Sequence, residues 1–527
     1  MASRGLGRRI TAVLAAGCTT ALVVVACGSN QSGTPNAAPV GTTLNLSFLQ
    51  DPGQPPDPDV FYGTQGLLLT TNVYEGLLTF ESGTATPKLA PALATSWTES
   101  PDHTVFALQL RQGVKFHDGS PFTADAVKAS FDRRTAVDQG PAYMVKDVDS
   151  IQTQGDYAVT ITLKAPDSSF LYELASPYGP KMLSPTALAA NAGTDHAQSY
   201  LTTHDIGTGP YVLSEAKVGD KYQLTAFPDY WGKKPYYTTV ELPVVADTSS
   251  QQLQLDSGAL AAILHDIPSS AVATYQANPK FTSYSLPTTM SDYMYVNPKT
   301  PAMSSLELRT ALLQAVDIDA LAANAYFGRG RAAKQIYPAN INDPKYAAQN
   351  IVHDPAKLKA AVAALPAASR SVVIAHDSSS PDNQQVAELL VTQLGQAGLT
   401  ATVQSVPAAQ MFNWITDPTG APDILVNLGL PDAPTPYLWE HINFDPGGGV
   451  NYFGCSSPTA TDYIAKGRAT GSAEDLSKGA EAAQATGCWL NLVDVDDFMV
   501  AQPWLKGVER AHLVSVPTSL ALNELYQ

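Results

Sequence analysis

Residues 371–406 constrain this chain more than any other stretch. Ser371-Val-Val-Ile-Ala-His376 has the composition of a buried strand. Pro381 stands where a first helical position is filled, and Val386, Leu389, Leu390 and Leu394 follow at helical spacing. Gly398 ends that helix, and Thr400 to Val406 returns as a strand. Strand, crossover helix, strand is a βαβ unit, and its strands must run parallel. Elsewhere the strands alternate polar and apolar, as half-buried ones do: Thr43 to Leu49, Thr104 to Leu110 and Tyr157 to Leu163. Asp51 to Pro58 is a proline-rich loop, Gln65 to Leu78 a helix running into a turn, and Thr123 caps a helix over Ala124 to Arg134. A further helix has Asp354 as N-cap and Pro355 at its first position. The reading is α/β with mixed sheets in more than one lobe, and there is no repeat period.

The chain has 527 residues, enough for three to four domains of roughly 150 residues each. Its 48 acidic residues outnumber 31 Lys plus Arg, for a formal charge of −17. That excess works against phosphate-backbone binding, so nucleic acid is not an expected partner. Beyond residue 27 no apolar run reaches the ~18 residues that span a bilayer. Arg4, Arg8 and Arg9 precede an apolar run from Ile10 to Ala26, which closes on small residues before Cys27-Gly28-Ser29. This is a secretory pattern, and a Cys directly after it resembles a bacterial lipobox. The resemblance implies cleavage before Cys27, acylation of its thiol (palmitate among the acyl groups), and anchoring to the extracytoplasmic face of the cell membrane. Cys18, after Ala15-Ala16-Gly17, is a second possible lipobox. Residues 1–26 are then the lipoprotein signal peptide and 27–42 a flexible tether. Cys455 and Cys488 remain. In an exported chain an even pair is most simply a disulfide, with two free thiols as the alternative.

The search for catalytic motifs returns nothing. There is no H-E-x-x-H, Walker A, G-x-S-x-G, or G-x-G-x-x-G opening a helix. The nine His are scattered, and none has metal-ligand spacing with another. Gly207-Thr-Gly-Pro210 runs into a strand rather than a helix N-terminus, so it cradles no phosphate. Carboxylates are plentiful, but no glycosidase-like pair stands out by context. The expectation is a protein with no cofactor, no metal and no enzymatic activity.

Six blocks occur in order: Asn72-Val-Tyr-Glu-Gly-Leu-Leu-Thr-Phe80, Leu89-Ala-Pro-Ala-Leu-Ala-Thr-Ser-Trp97, Leu110-Arg-Gln-Gly-Val-Lys-Phe-His-Asp-Gly119, Pro121-Phe-Thr-Ala-Asp-Ala-Val127, Gly207-Thr-Gly-Pro-Tyr211 and Asp229-Tyr-Trp-Gly232. Together they closely resemble the family 5 extracellular solute-binding proteins of ABC importers, the peptide, dipeptide and nickel binders. The resemblance covers about residues 43 to 527. It continues through Leu308 to Val316 and Tyr326-Phe-Gly328, then thins. It implies an α/β, two-lobed, periplasmic-binding-protein-like clamp with mixed sheets, a hinge of two crossing segments and an extra inserted domain. Transferred here, lobe I takes residues 43–77, 206–293 and 504–527, the inserted domain 78–205, and lobe II 294–503. It further implies a monomer that captures a short peptide between its lobes and delivers it to ABC permease subunits and their ATPase. An oligosaccharide or metal chelate in the same clamp, or a sensor lipoprotein that transports nothing, are the alternatives.

Most block residues read as structural. Trp97, Tyr230 and Trp231 are core or turn aromatics, Arg111, Lys115 and Asp118 fix a turn, and Arg309 flanks a packed helix face. For ligand binding, the relatives carry an Asp-Tyr-x-Asp-Pro-like segment after a lobe II strand, whose first Asp pairs with the peptide α-ammonium. Here Asp423-Ile-Leu-Val-Asn-Leu428 runs into Gly429-Leu-Pro-Asp432-Ala-Pro-Thr-Pro436, which places Asp432 on that first Asp. Ala433 replaces the aromatic and Thr435 the second Asp. A desolvated carboxylate facing an ammonium makes a charge-assisted hydrogen bond, although an Asp between prolines also serves as a turn residue. Tyr293, Tyr295 and Asn297 lie on a stretch that passes between lobes in the family, with the two tyrosines on one face. Core packing is their other reading. Trp414, Tyr437 and Trp439 flank the Asp432 loop and complete the expected lining, which suits sugars as well as peptides.

Overall fold

The computed structural model describes residues 42–264 and 267–527. The signal peptide, nearly all of the tether, and both candidate lipidation sites, Cys18 and Cys27, lie outside the described residues. Among the described residues no helix is long and apolar enough to cross a membrane.

Three larger sheets organise the body. The first joins Thr43–Asn45, Thr239–Pro243, Lys221–Ala226 and Tyr211–Lys217, with only the first pair parallel. The second is an antiparallel sheet of Ala94–Glu99, Val105–Leu110, Ala158–Leu163 and Val148–Thr153. The third has seven strands. Within it Ser371–Asp377 pairs in parallel with both Thr400–Val406 and Ile424–Gly429, while Thr282–Val296 is antiparallel to Ile424–Gly429 and Trp489–Ala501. The βαβ unit is therefore present as read, its crossover helix running Pro381–Gln396 with the Ser380 hydroxyl capping Asn383 N. That helix buries Val386, Ala387, Leu390 and Leu394. Each of the valine and leucine side chains contributes about 1.5–3 kcal/mol on full burial.

Two long strands connect the bodies. Thr282–Val296 packs Tyr284 and Leu286 against the core of the first sheet and buries Met294 and Val296 in a face of the third. Trp489–Ala501 does the same in reverse, with Met499 and Ala501 in the first core and Leu490, Leu492 and Val495 in the other. Their pairing slips register between Leu286 and Met290 and again between Asp292 and Tyr293. Such irregularities bend a strand and raise its local twist, and here they fall where the pair leaves one core for the next. The C-terminal segment returns to the first core through Leu505, Val508, Leu520 and Leu525.

The sequence blocks meet in space. The half-buried Glu75 carboxylate accepts Trp231 Nε1 at 2.9 Å, Thr208 Oγ1 at 2.8 Å and Tyr230 OH at 3.0 Å. His117 pairs with Asp205 and reaches Gly209 O at 3.0 Å. Arg111 stacks 4.0 Å over Trp231, and Lys115 pairs with Asp229 at 2.7 Å. Arg309 donates to the carbonyls of Met303, Ser304 and Thr486. These residues join loops from distant parts of the chain, consistent with their structural reading. Cys455 and Cys488 form a disulfide, with Cα atoms 6.5 Å apart.

Candidate functional site

The strand Ile424–Gly429 is paired on both sides within the third sheet, and after it the chain turns through Leu430-Pro-Asp432 into the helix Pro436–Phe444. Thr435 caps that helix, its Oγ1 accepting from Leu438 N at 3.2 Å, and Pro436 supplies the fixed φ of a first helical position. The turn is thus held at both ends, and Asp432 sits on it, only 5% exposed.

Three other parts of the chain close over Asp432. Tyr143, on the short turn Gly140–Val145, donates its hydroxyl to Asp432 Oδ2 at 2.5 Å. Tyr62, from the loop after the first strand, donates to the same oxygen. The Ser176 hydroxyl donates to the Asp432 carbonyl. Oδ1 receives no hydrogen bond among the described residues, and no lysine or arginine there pairs with the carboxylate. Burial pushes the Asp432 carboxyl above its ordinary value, and the Tyr143 and Tyr62 donors pull against that shift. The hydroxyls of Tyr62 and Tyr143 are themselves pushed well up, by burial first and then by the Asp432 charge. They remain donors, and Asp432 is the acceptor.

The tyrosines are held from behind. Arg133 binds Asp57 and Asp59 through its terminal nitrogens at 2.6–2.8 Å. Arg134 donates to Asp59 Oδ1 and to Tyr178 O, both at 2.7 Å. All four side chains are buried, so the 51–62 loop is anchored to the second sheet's helix Ala124–Val137. Tyr178 packs edge-on to Tyr62 with ring centroids 5.1 Å apart. Gly140 has φ +45°, and a Cβ there would come within 2.9 Å of Tyr62 Cβ, so only glycine lets this turn approach the tyrosine. A second bridge lies alongside, where Arg468 reaches Asp167 at 2.7 Å and Asp147 at 2.5 Å.

The other expected lining residues sit elsewhere. Tyr293 and Tyr295 do share a face, but it is an inner face of the third sheet: Tyr293 OH donates to Ile336 O at 2.5 Å and Tyr295 OH to Asn443 Oδ1 at 3.1 Å. Asn297 binds Pro422 O and caps Lys299 N. Trp414 packs on Phe453, and Trp439 on Tyr293 at 4.7 Å. Tyr437 is buried beside His441 with the Arg468 guanidinium 5.3 Å from its ring. Sequence reading missed Tyr62, Tyr143 and Ser176. Leu430, two residues before Asp432, lines a cavity of about 210 Å³ between residues of the first and third sheets' bodies.

Asp432 thus lies buried between the third sheet's body, which carries its turn, and the second sheet's body and the 51–62 loop, which supply its hydroxyl donors. Residues 88–447 match the family described as bacterial extracellular solute-binding proteins, family 5, and the chain belongs to that family. It is 30% identical over 362 residues to the glutathione-binding protein GsiB of Salmonella typhi, covering 67% of this chain and 68% of that protein. Its fold matches NikZ of Campylobacter jejuni, solved in complex with Ni(L-His), with TM-score 0.81 at 21% identity over 93% of this chain and all of NikZ. It likewise matches DppA of Helicobacter pylori in complex with the peptide STSA, with TM-score 0.78 at 19% identity over 92% and 98% of the two chains.

Proposed function

We propose that this protein is the lipid-anchored, extracytoplasmic solute-binding component of an ABC importer, and that its cargo is a short peptide with a free amino terminus. The observation that carries this reading is Asp432: a desolvated carboxylate with two hydroxyl donors on one oxygen, an open acceptor on the other, and no lysine or arginine partner among the described residues. A primary ammonium supplies both the missing charge and N–H donors. The names of the relatives, a glutathione-binding protein and a peptide complex, support the same class. Cys27 carries the anchor, residues 28–42 hold the body off the membrane, and the closed, loaded monomer docks on permease subunits whose ATPase drives uptake. The protein returns its ligand unchanged.

Native mass spectrometry of protein purified without unfolding tests the cargo. Added masses that sequence as short peptides, lost in Asp432→Asn, are expected. A single sugar or metal-chelate mass would reject peptides and keep the clamp. Labelling of cells with radioactive palmitate should mark the wild type and not Cys27→Ala. Deleting the gene should abolish uptake of the identified peptide. Undiminished uptake in a strain with no redundant importer would refute the transport role.

A further inference from the structure

The cavity that Leu430 lines has an unbalanced charge inventory. Asp377, Asp382 and Asp497 bring three carboxylates to its wall, and Arg329 is the one Lys or Arg among the described residues that line it. That guanidinium is already engaged, its Nη1 on Asp382 Oδ2 at 3.1 Å and its Nε on Asp496 O at 2.9 Å. Asp377 Oδ1 accepts from Ser379 N and Ser379 Oγ, each at 2.8 Å. Those neutral donors orient the carboxylate without cancelling its charge. Asp497 Oδ2 faces His512 Nε2 at 3.3 Å. Asn383 also lines the cavity, is 1% exposed, and has an Oδ1 that no described donor reaches. Its Nδ2 is turned away, onto Asp292. A ligand here meets acceptors and negative charge, so a free carboxylate would be repelled and an N–H-bearing cation held.

We propose that the cargo is a short peptide of net positive charge, with its amino terminus on Asp432 and a basic side chain in the cavity beside Asp377 and Asn383. This rests on the peptide reading of the cleft given above. Asp377 and Asn383 are then specificity-determining residues, distinct from the ammonium anchor, and acidic peptides are rejected by the same charges.

Calorimetric titration of the full-length, detergent-purified protein with Ala-Lys, Ala-Gln and Ala-Glu, and with each extended by one C-terminal alanine, tests this. Lysine peptides should bind about tenfold more tightly than glutamine peptides, and glutamine about tenfold more tightly than glutamate. High salt should compress both ratios. Asp377→Asn should shrink the lysine-to-glutamine ratio. If that variant does not fold, the wild-type ratios decide alone. Equal affinities, or a preference for glutamate, would overturn the charge selection. The peptide reading would survive such a result provided N-acetylation still abolished binding. Failure of every peptide to bind would overturn the peptide reading and this inference with it.

Discussion

Replacing Arg468 with Met should weaken ligand binding without unfolding either body. Arg468 lies on the helix Pro458–Thr470 and crosses to the second sheet's body, where its Nε and Nη2 share Asp167 Oδ2 at 2.9 and 2.7 Å. Nη2 also reaches Asp147 Oδ2 at 2.5 Å. The Asp167 side chain is 1% exposed, that of Arg468 25% and that of Asp147 40%. Burial raises the Asp167 carboxyl, and Arg468 is the main influence opposing that rise. Breaking a fully buried pair costs about 3–5 kcal/mol. The partial exposure of the guanidinium and of Asp147 brings the expected loss down to about 2 kcal/mol. Because the pair joins two bodies, the loss falls on the closed arrangement, and apparent affinity should drop about thirtyfold. Calorimetry with the carried ligand reads the affinity, and small-angle scattering reads the opening of the ligand-free protein. A double-mutant cycle with Asp167→Asn should return a coupling of about 1–2 kcal/mol. An unchanged dissociation constant together with a coupling under about 0.3 kcal/mol would refute the clasp.

Three further outcomes are expected. Asp292, buried at the register slip of the long strands, has its carboxyl pushed up to about 7, mainly by burial and against the hydrogen bond from Tyr326. The folded state then holds a proton that the unfolded state releases between pH 3.8 and about 7. Stability should therefore fall as pH rises through that window, by at most about 4 kcal/mol. Asp292→Asn should remove this component of the slope and raise Tm above pH 7, and no change there would contradict the assignment. Glu75→Ala takes the shared acceptor from the buried Thr208 and Tyr230 hydroxyls and from the half-buried Trp231, and should cost about 2 kcal/mol in denaturant unfolding. Removing the disulfide by Cys455→Ser with Cys488→Ser frees a loop closed at a sequence separation of 33. The expected loss is about 4 kcal/mol on the loop-entropy account, and reducing agent should lower the wild-type Tm and leave that of the double variant unchanged.

The elements whose signals are local were legible in sequence. The βαβ unit announced itself by composition, proline and glycine placement, and helical spacing within one stretch, and the parallel pairing of Ser371–Asp377 with Thr400–Val406 follows. Alternation put Tyr293 and Tyr295 on one face. Parity cannot say which face meets the cleft, and both sides of this sheet are covered by core. The aromatics flanking Asp432 misled for a related reason: an aromatic side chain fills a core as readily as it lines a pocket, and Trp414 and Trp439 fill one. Asp432 differs, because a carboxylate has no place in a dry interior without a partner. That left a turn or a ligand as its reasons for being there, and the structure places it on the turn, under the hydroxyls of Tyr62 and Tyr143. Its donors gave no such signal. Tyr62 and Tyr143 lie 370 and 289 residues from Asp432, outside any helix or strand periodicity. The nearest hint was Gly140-Pro141, a turn mark whose purpose is visible only once Tyr62 is packed against it. A cleft between bodies draws its wall from segments that no window spans. In such proteins misplaced charge is the part of the site most readable in advance, and the neutral groups that position it are the part that needs the fold.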